Sequence, residues 1–265
     1  MKYDLKLRPI HYACVSGGKD SLYMLGLILS KPEKYPLDMV VHFQLEIDWP
    51  FAERVVDYME KQCNKGGIKF LRISPRLKYM QLYEKYGIPN RLFKWCNYRY
   101  KLDASRQLND WIKEQNCRPV AYIGLCADEE KRFKYEIGDW KNQDVCYPLA
   151  EEGITENIIL DWAKNQSLFE DWYKLFDRQG CMMCPNIKRK ELAYMYLRER
   201  DKYDLFFKLI EDHEQGKLNN KSSKTAYEKG YTFWNGKTAK DVHKIIVEKW
   251  VPKLLKECQE KHIAI

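Results

Sequence analysis

The chain has 265 residues, which is enough for one large domain or for a domain with a smaller companion. Its formal net charge of +8 suits a polyanionic partner such as nucleic acid, although an ordinary lysine-rich surface would give the same value. No signal peptide or bilayer-spanning apolar run is recognisable, so we expect a cytoplasmic protein without membrane contacts and with its nine cysteines reduced.

Strand-like and helix-like segments alternate through the first half of the chain. The strands are predicted at 10–15, 39–45, 68–73 and 119–124, and the helices at 22–29, 51–63 and 98–114. This alternation predicts an α/β fold with a mostly parallel twisted sheet and helices on both faces. Ligands of such sheets bind at the carboxyl ends of strands, so Ser16, Asp48 and Cys126 should border one crevice.

The second half of the chain has the pattern of a helical region. Helices are predicted at 155–164 with Thr155 as cap, at 170–176, at 188–214 and, as a basic amphipathic tail, at 239–261, with a polar linker at 216–224. We therefore predict two domains. Residues 1–150 form a nucleotide-binding α/β domain, and residues 151–265 form a helical C-terminal region.

The most specific motif is the run Ser16-Gly17-Gly18-Lys19-Asp20-Ser21 between the first strand and the first helix. Two glycines at such a turn let backbone N–H groups converge on an anion, and the helix N-terminus adds partial positive charge. Lys19 adds a full charge and the two serines add hydroxyl donors, which predicts a phosphate or pyrophosphate ligand. The run is not a Walker loop, because the four residues before Gly-Lys-Ser/Thr are absent.

Three cysteines have neighbours that suggest chemistry. Cys181 and Cys184 form a Cys-x-x-Cys motif, whose thiolates can reach one metal ion. Cys96 lies among basic and aromatic residues, and we expect the nearby cations to lower the pKa of its thiol. Zinc, an iron–sulfur cluster, a redox dithiol and plain unligated thiols all remain open from the motif alone.

Together these motifs resemble the phosphoadenosine phosphosulfate (PAPS) reductase family of the PP-loop ATP pyrophosphatase superfamily. The resemblance rests on the Ser16–Ser21 loop, on Trp-Cys at 95–96 before a basic helix, and on Gly-Cys-x-x-Cys-Pro at 180–185. It runs from about residue 10 to residue 214 and is strongest to the branch that includes the DNA phosphorothioation PP-loop protein. The segment 124–132 resembles the family's Gly-x-Arg-x-Asp-Glu-Ser, with Cys126 in place of the arginine.

The resemblance implies an adenine nucleotide α-hydrolase-like fold and an enzyme that releases AMP and pyrophosphate while it activates an acceptor for sulfur transfer. It implies ATP contacts for Ser16, Gly17, Gly18, Lys19, Asp20 and Ser21. Asp20 or Asp48 would place Mg²⁺, and Arg132 would hold a phosphate. The acceptor would be tRNA, DNA or a small molecule, the sulfur donor a protein such as a cysteine desulfurase, and the chain could form homo-oligomers.

The same resemblance assigns the catalytic role to Lys19, Asp20 and Cys96. It makes Cys96, Cys181 and Cys184 the ligands of a [4Fe–4S] cluster, with Cys126 or a non-cysteine group as a candidate fourth ligand. Zinc is the alternative metal, held by the three cysteines and a histidine such as His213.

Two departures from the family separate the candidate functions. The intact loop favours ATP, since PAPS reductases, whose substrate already carries its adenylate, have a modified loop. The reductase ending Glu-Cys-Gly-x-His is also missing, because residues 257–262 lack the glycine, so Cys258 is interpreted as a helix residue. A sulfonucleotide reductase and a non-catalytic ATP-sensing subunit that binds nucleic acid remain the alternatives.

Overall fold

A computed structural model describes residues 7–90, 93–133, 144–218, 220, 228–229, 232–234 and 236–265. These residues contain a five-stranded parallel sheet with the strand order β3-β2-β1-β4-β5. The strands are β1 Arg8–Val15, β2 Met39–Phe43, β3 Lys69–Ile73, β4 Cys117–Tyr122 and β5 Asp144–Cys146. The predicted α/β class with a parallel sheet is confirmed, while β5 was not predicted.

Helices connect the strands and make up the rest of the described chain. They are α1 Lys19–Ser30, α2 Pro50–Lys65, α3 Tyr79–Tyr86, α4 Leu102–Glu114, α5 Glu130–Phe133, α6 Pro148–Glu151, α7 Glu156–Lys164, α8 Trp172–Leu175, α9 Arg189–Arg198 and α10 Arg200–Glu214. Two further helices, Ala239–Ile245 and Val251–Glu260, lie near the end of the chain. None of the described helices is both long and apolar enough to cross a bilayer.

Successive side chains of each strand point to opposite faces of the sheet, and residues on both faces are buried. On one face, Tyr12 of β1 packs with Leu108 and Ile112 of α4. On the other face, the neighbouring residues Ala13 of β1 and Val40 of β2 are fully buried. The prediction of helices on both faces is thus confirmed, and the carboxyl ends of β1, β2 and β4 face the same edge of the sheet.

The chain divides into two compact units, each built from two segments. The first unit comprises Met1–Arg76 and Lys101–Gln179 and contains the sheet. The second comprises Leu77–Tyr100 and Gly180–Ile265, where Lys190 of α9 pairs with Glu257 of the last helix at 2.7 Å. This division does not coincide with the predicted boundary at residue 150. The assignment of nucleotide binding to residues 1–150 stays a prediction.

Two predicted long helices are interrupted. The helix predicted at 188–214 is wrong as one element, since Glu199 leaves helical geometry (φ −132°, ψ 55°) between α9 and α10, which pack on each other. The predicted tail helix contains a π-helical turn, Ile246–Trp250, before Pro252. Proline cannot donate the backbone hydrogen bond that a regular helix would need there.

Two helix starts also differ from prediction. Thr155 stands at the cap position of α7, but its side chain makes no capping bond, and the N–H of Glu156 donates to Asp128 Oδ1 at 3.0 Å. The helix predicted at 170–176 begins later, because Glu170 and Asp171 adopt left-handed conformations with φ of 46° and 61°. Most of the predicted linker at 216–224 lies outside the described residues.

Candidate functional site

The loop Ser16–Ser21 leaves β1 and enters α1 in a conformation that requires glycine. Gly17 has a φ of +71°, and a Cβ built on it would lie 2.3 Å from the carbonyl oxygen of Ala52. A carbonyl carbon and oxygen of the backbone cannot move aside as a flexible side chain would, so the loop is pressed against the first turn of α2. The predicted strand–turn–helix context of the motif is therefore what the structure contains.

Ser21 closes the loop on itself. Its hydroxyl donates to the carbonyl of Gly18 at 3.0 Å and accepts the N–H of Ser16 at 3.1 Å. At the N-terminus of α1, the N–H of Lys19 donates to the hydroxyl of Tyr173 at 2.9 Å. Tyr173 is a member of the site that sequence reasoning missed, because it lies 154 positions away in α8.

The ammonium group of Lys19 is buried between two carboxylates. The side chain is 2% exposed, and Nζ lies 2.8 Å from Asp20 Oδ1 and 3.5 Å from Glu156 Oε1. Burial opposes the charge, but the carboxylates of Asp20 and Glu156 outweigh it and raise the pKa of Lys19. Lys19 therefore carries its charge at neutral pH, next to the loop backbone.

The carboxyl end of β4 reaches the same loop, in line with the prediction that Ser16 and Cys126 border one crevice at the carboxyl ends of parallel strands. The thiol of Cys126 donates to Asp20 Oδ1 at 3.8 Å, and a Cβ built on Gly124 would lie 3.1 Å from the carbonyl oxygen of Asp20. Burial, followed by the charge of Asp20, raises the pKa of Cys126 to about 12, so the thiol stays protonated. Cys126 belongs to the first unit and contacts the loop residue Asp20.

Arg132 is exposed, and among the contacts of the described residues it has none with the loop itself. It is linked to the loop through Glu129 and Cys126. Its guanidinium lies 2.5 Å from one carboxylate oxygen of Glu129, and the other oxygen accepts the N–H of Cys126 at 3.1 Å. The predicted phosphate contact of Arg132 remains a prediction.

Asp48 follows β2 and is half-buried beside two residues that the sequence analysis did not select. Its carboxylate, Glu53 and His42 bring ligand atoms within 4.8 Å of one another. Burial raises the pKa of Asp48 to about 6, although the positive charge of Lys101 opposes that shift. The sequence analysis did not select His42, which lies inside an apolar strand segment. A histidine in such a segment is the sequence signal for a buried polar residue.

The three predicted cysteine ligands all belong to the second unit. All three act electrostatically on Tyr79, whose pKa is raised well above its ordinary value by burial and then by Cys96, Cys181, Tyr100 and Cys184. Cys96 opens a π-helical turn, and Cys184 donates its N–H to the carbonyl of Cys181 at 3.2 Å. Cys96 thus lies in the same unit as Cys181 and Cys184, which follow it by 85 and 88 positions in the chain.

The expected lowering of the Cys96 pKa is wrong. Burial, followed by the neighbouring Cys184, raises it to about 11, and the opposing effect of Lys94 is smaller. The basic residues around Cys96 in the sequence point into solvent, since Lys94 and Arg99 are exposed. Without a metal ion, this thiol is therefore protonated at neutral pH.

The three sulfur atoms are spread more widely than the ligands of one metal ion. Among the described residues, only His42, Asp48 and Glu53 place three ligand atoms within 4.8 Å of one another. His213, the candidate fourth zinc ligand, is buried against Gly87, where an added Cβ would lie 2.4 Å from its ring. Burial lowers the pKa of His213 to about 4.

Comparison with known proteins connects these motifs to a family. The profile described as "Phosphoadenosine phosphosulfate reductase domain" matches residues 10–187. Two proteins of Methanocaldococcus jannaschii, both described as uncharacterized, are 26% and 25% identical over 198 and 200 residues, which are 72% and 74% of this chain. The matched regions are 39% and 46% of those proteins, so the chain spans less than half the length of the curated relatives it matches.

One solved structure covers most of the chain at low similarity. The U34-tRNA thiolase NcsA from Methanococcus maripaludis with its [4Fe-4S] cluster matches with a TM-score of 0.39 and 15% identity. The match covers 93% of this chain and 74% of that chain. At this score the likeness supports no inference about the present chain.

Proposed function

Because the chain belongs to the phosphoadenosine phosphosulfate reductase domain family, we propose that it adenylates an acceptor with ATP and prepares that acceptor for sulfur transfer. One observation carries the proposal: the Ser16–Ser21 loop is a closed glycine turn with a buried lysine at the N-terminus of α1. Such a site suits an anion of high charge. Membership of the DNA phosphorothioation branch stays a prediction.

The loop residues divide the work of holding the triphosphate. The turn at Gly17 and Gly18 brings the backbone close to the ligand, and Ser16 and Ser21 supply hydroxyl groups. Lys19 is already charged and held by Asp20 and Glu156, so little reorganisation is needed when phosphates bind. Tyr173, which accepts the N–H of Lys19, would exchange this bond for a phosphate contact at the helix N-terminus.

The proposed reaction breaks the bond between the α-phosphorus and the oxygen that bridges to the β-phosphate. An oxygen of the acceptor attacks the α-phosphorus, the acceptor is adenylated and pyrophosphate leaves. Lys19 stabilises the charge that develops on the pyrophosphate, and Asp20 or Asp48 helps to place Mg²⁺ beside it. Sulfur then replaces the activated oxygen and AMP leaves.

The cysteine site fits a cluster better than a single zinc ion. Three thiolates on one tetrahedral zinc, with bonds of about 2.3 Å, lie roughly 3.8 Å apart. Cys96, Cys181 and Cys184 are not all within 4.8 Å of one another, whereas the ligands of a cluster bind separate iron atoms. When bound, a [4Fe–4S] cluster with one iron free of cysteine would supply the sulfur atom for transfer.

The partners follow from the proposed chemistry and the charge. A net charge of +8 suits a nucleic-acid acceptor such as tRNA or DNA. A sulfur donor, for example a cysteine desulfurase, a homo-oligomeric state and a cytoplasmic location remain predictions.

The first test is exchange of radiolabelled pyrophosphate into ATP, with candidate tRNA, DNA and small-molecule acceptors. We expect Lys19→Ala to lower the exchange rate by at least about 100-fold, because one preorganised charge at the leaving group is lost. Lys31→Ala is the matched control, since Lys31 follows α1 and pairs with Glu152 at the surface.

Equal exchange in wild type and Lys19→Ala would contradict the proposed role of the loop. If no acceptor supports exchange while adenylyl sulfate or PAPS is reduced with thioredoxin, the sulfonucleotide reductase is the correct alternative. Nucleic-acid binding with neither activity would identify the ATP-sensing subunit.

The second test concerns the metal at the cysteine site. After anaerobic purification we expect iron and acid-labile sulfide in the wild type and a loss of most of both in Cys184→Ser. Cys117→Ser is the matched control, because this half-buried thiol donates to the carbonyl of Gln115 and a serine hydroxyl can do the same. Stoichiometric zinc without iron in the wild type would reject the cluster.

A further inference from the structure

Three side chains with metal-ligating atoms lie together just beyond the carboxyl end of β2. One ring nitrogen of His42 and carboxylate oxygens of Asp48 and Glu53 are all within 4.8 Å of one another, and the part of the chain that the structure describes holds no second such triplet. Mg²⁺ bound with ATP takes many of its ligands from phosphates and water. This group offers three protein ligands without any nucleotide.

His42 is oriented in the way that metal-ligating histidines are. Its side chain is 2% exposed, and Nδ1 lies 3.0 Å from the carbonyl oxygen of Val15. A carbonyl only accepts, so Nδ1 donates to it, and Nε2 is left as the ring atom that faces Glu53 and is available to a metal ion. Among the described residues Nε2 has no hydrogen-bond partner, since Glu53 Oε1 at 3.6 Å is too far away.

The two carboxylates supply negative charge that the nearby cations only partly balance. Arg72 lies 3.4 Å from Glu53, but it is closer to Asp57 at 2.5 Å and to Glu60 at 2.8 Å. One oxygen of Glu53 therefore faces His42 and not Arg72.

We propose that His42, Asp48 and Glu53 bind one divalent first-row transition-metal ion, of which Mn²⁺ is the probe. An imidazole with two carboxylates is a donor set for Mn²⁺, Fe²⁺ or Zn²⁺ more than for Mg²⁺, which prefers oxygen ligands. Bonds of about 2.1 Å separate neighbouring ligands by roughly 3.0 to 3.4 Å. The 3.6 Å between His42 and Glu53 thus has to shorten by only a few tenths of an ångström.

The position of this site connects it to the loop. His42 pairs with Val15 in the sheet and hydrogen-bonds to its carbonyl, and Ser16 follows directly. Gly17 packs against Ala52, the residue before Glu53. An ion held here adds positive charge beside the loop and connects β2, which carries His42, to α2, which carries Glu53. The proposal does not rest on the proposed function, because metal binding is measured without nucleotide.

The test is a titration of the full chain with Mn²⁺ under anaerobic conditions and without nucleotide. Binding is monitored as the loss of the free Mn²⁺ signal in electron paramagnetic resonance. We expect one ion per chain in the wild type and an affinity at least about tenfold lower in Glu53→Gln. Asp57→Asn is the matched control, because Asp57 lies on the same helix and also pairs with Arg72. We expect this variant and Cys184→Ser to bind Mn²⁺ within about twofold of the wild type, since thiolates are poor ligands for Mn²⁺.

A second measurement reports coordination directly. Bound Mn²⁺ should show an imidazole nitrogen coupling in pulsed electron paramagnetic resonance, and His42→Gln should lose that coupling. If His42→Gln does not fold, the presence of the nitrogen coupling in the wild type and in Glu53→Gln is the test of whether an imidazole binds the ion. The proposal is overturned by the absence of saturable binding up to about 1 mM, by bound Mn²⁺ without nitrogen coupling, or by equal affinities of Glu53→Gln and Asp57→Asn. Failure of pyrophosphate exchange leaves this result unaffected.

Discussion

At the scale of single residues, Gly17 occupies a position in the loop where no residue with a side chain fits. Its φ of +71° is costly for any side chain, and its Cα faces the carbonyl of Ala52 so closely that an added Cβ would overlap it. The loop and the first turn of α2 are therefore fixed relative to each other. This contact holds the loop in the conformation that the structure shows.

We expect Gly17→Ala to lower the free energy of unfolding by at least about 2 kcal/mol more than Gly153→Ala. Gly153 is the matched control, because it has nearly the same φ of +69° and no atom within 4 Å of an added Cβ. The difference between the variants isolates the collision with Ala52 from the cost of the conformation. Urea unfolding measures it, and equal losses in both variants would show that α2 moves away easily.

The loop could be predicted from the sequence because its residues are consecutive and the chemistry is local. Its partners could not, since Glu156 and Tyr173 reach Lys19 only through the tertiary fold. The pKa of Cys96 was predicted with the wrong sign for a related reason. A basic neighbourhood in sequence says little about burial, which is the larger effect on this thiol.

At the scale of elements, the sheet was predictable and the helix ends were not. Apolar runs of five to eight residues between turn signals identify buried parallel strands, and four of the five were found in this way. The three-residue β5 is too short to give a pattern. The helical spacing of apolar residues continues through Glu199, although α9 ends at Arg198. Apolar spacing therefore does not reveal that the backbone of one residue leaves helical geometry.

At the scale of the whole molecule, the chain interleaves its two units. Residues 77–100 carry Cys96 and belong with 180–265, so both parts of the cysteine site come from one unit. The first unit likewise needs residues 151–179, because the buried Trp172 packs 4.8 Å from both Trp49 and Phe51. A boundary drawn at residue 150 separates these rings.

Two shortened chains test where the first unit ends. In both, a short Gly/Ser linker replaces residues 77–100, which is feasible because the N–H of Arg76 donates to Asp103 at 2.8 Å. The chain that ends at residue 179 should unfold in one cooperative transition when urea unfolding is monitored by tryptophan fluorescence. The chain that ends at 150 should not, because it exposes Trp49 and leaves Lys19 without Glu156 and Tyr173. Cooperative unfolding of the shorter chain with equal stability would restore the boundary at 150 predicted from the sequence.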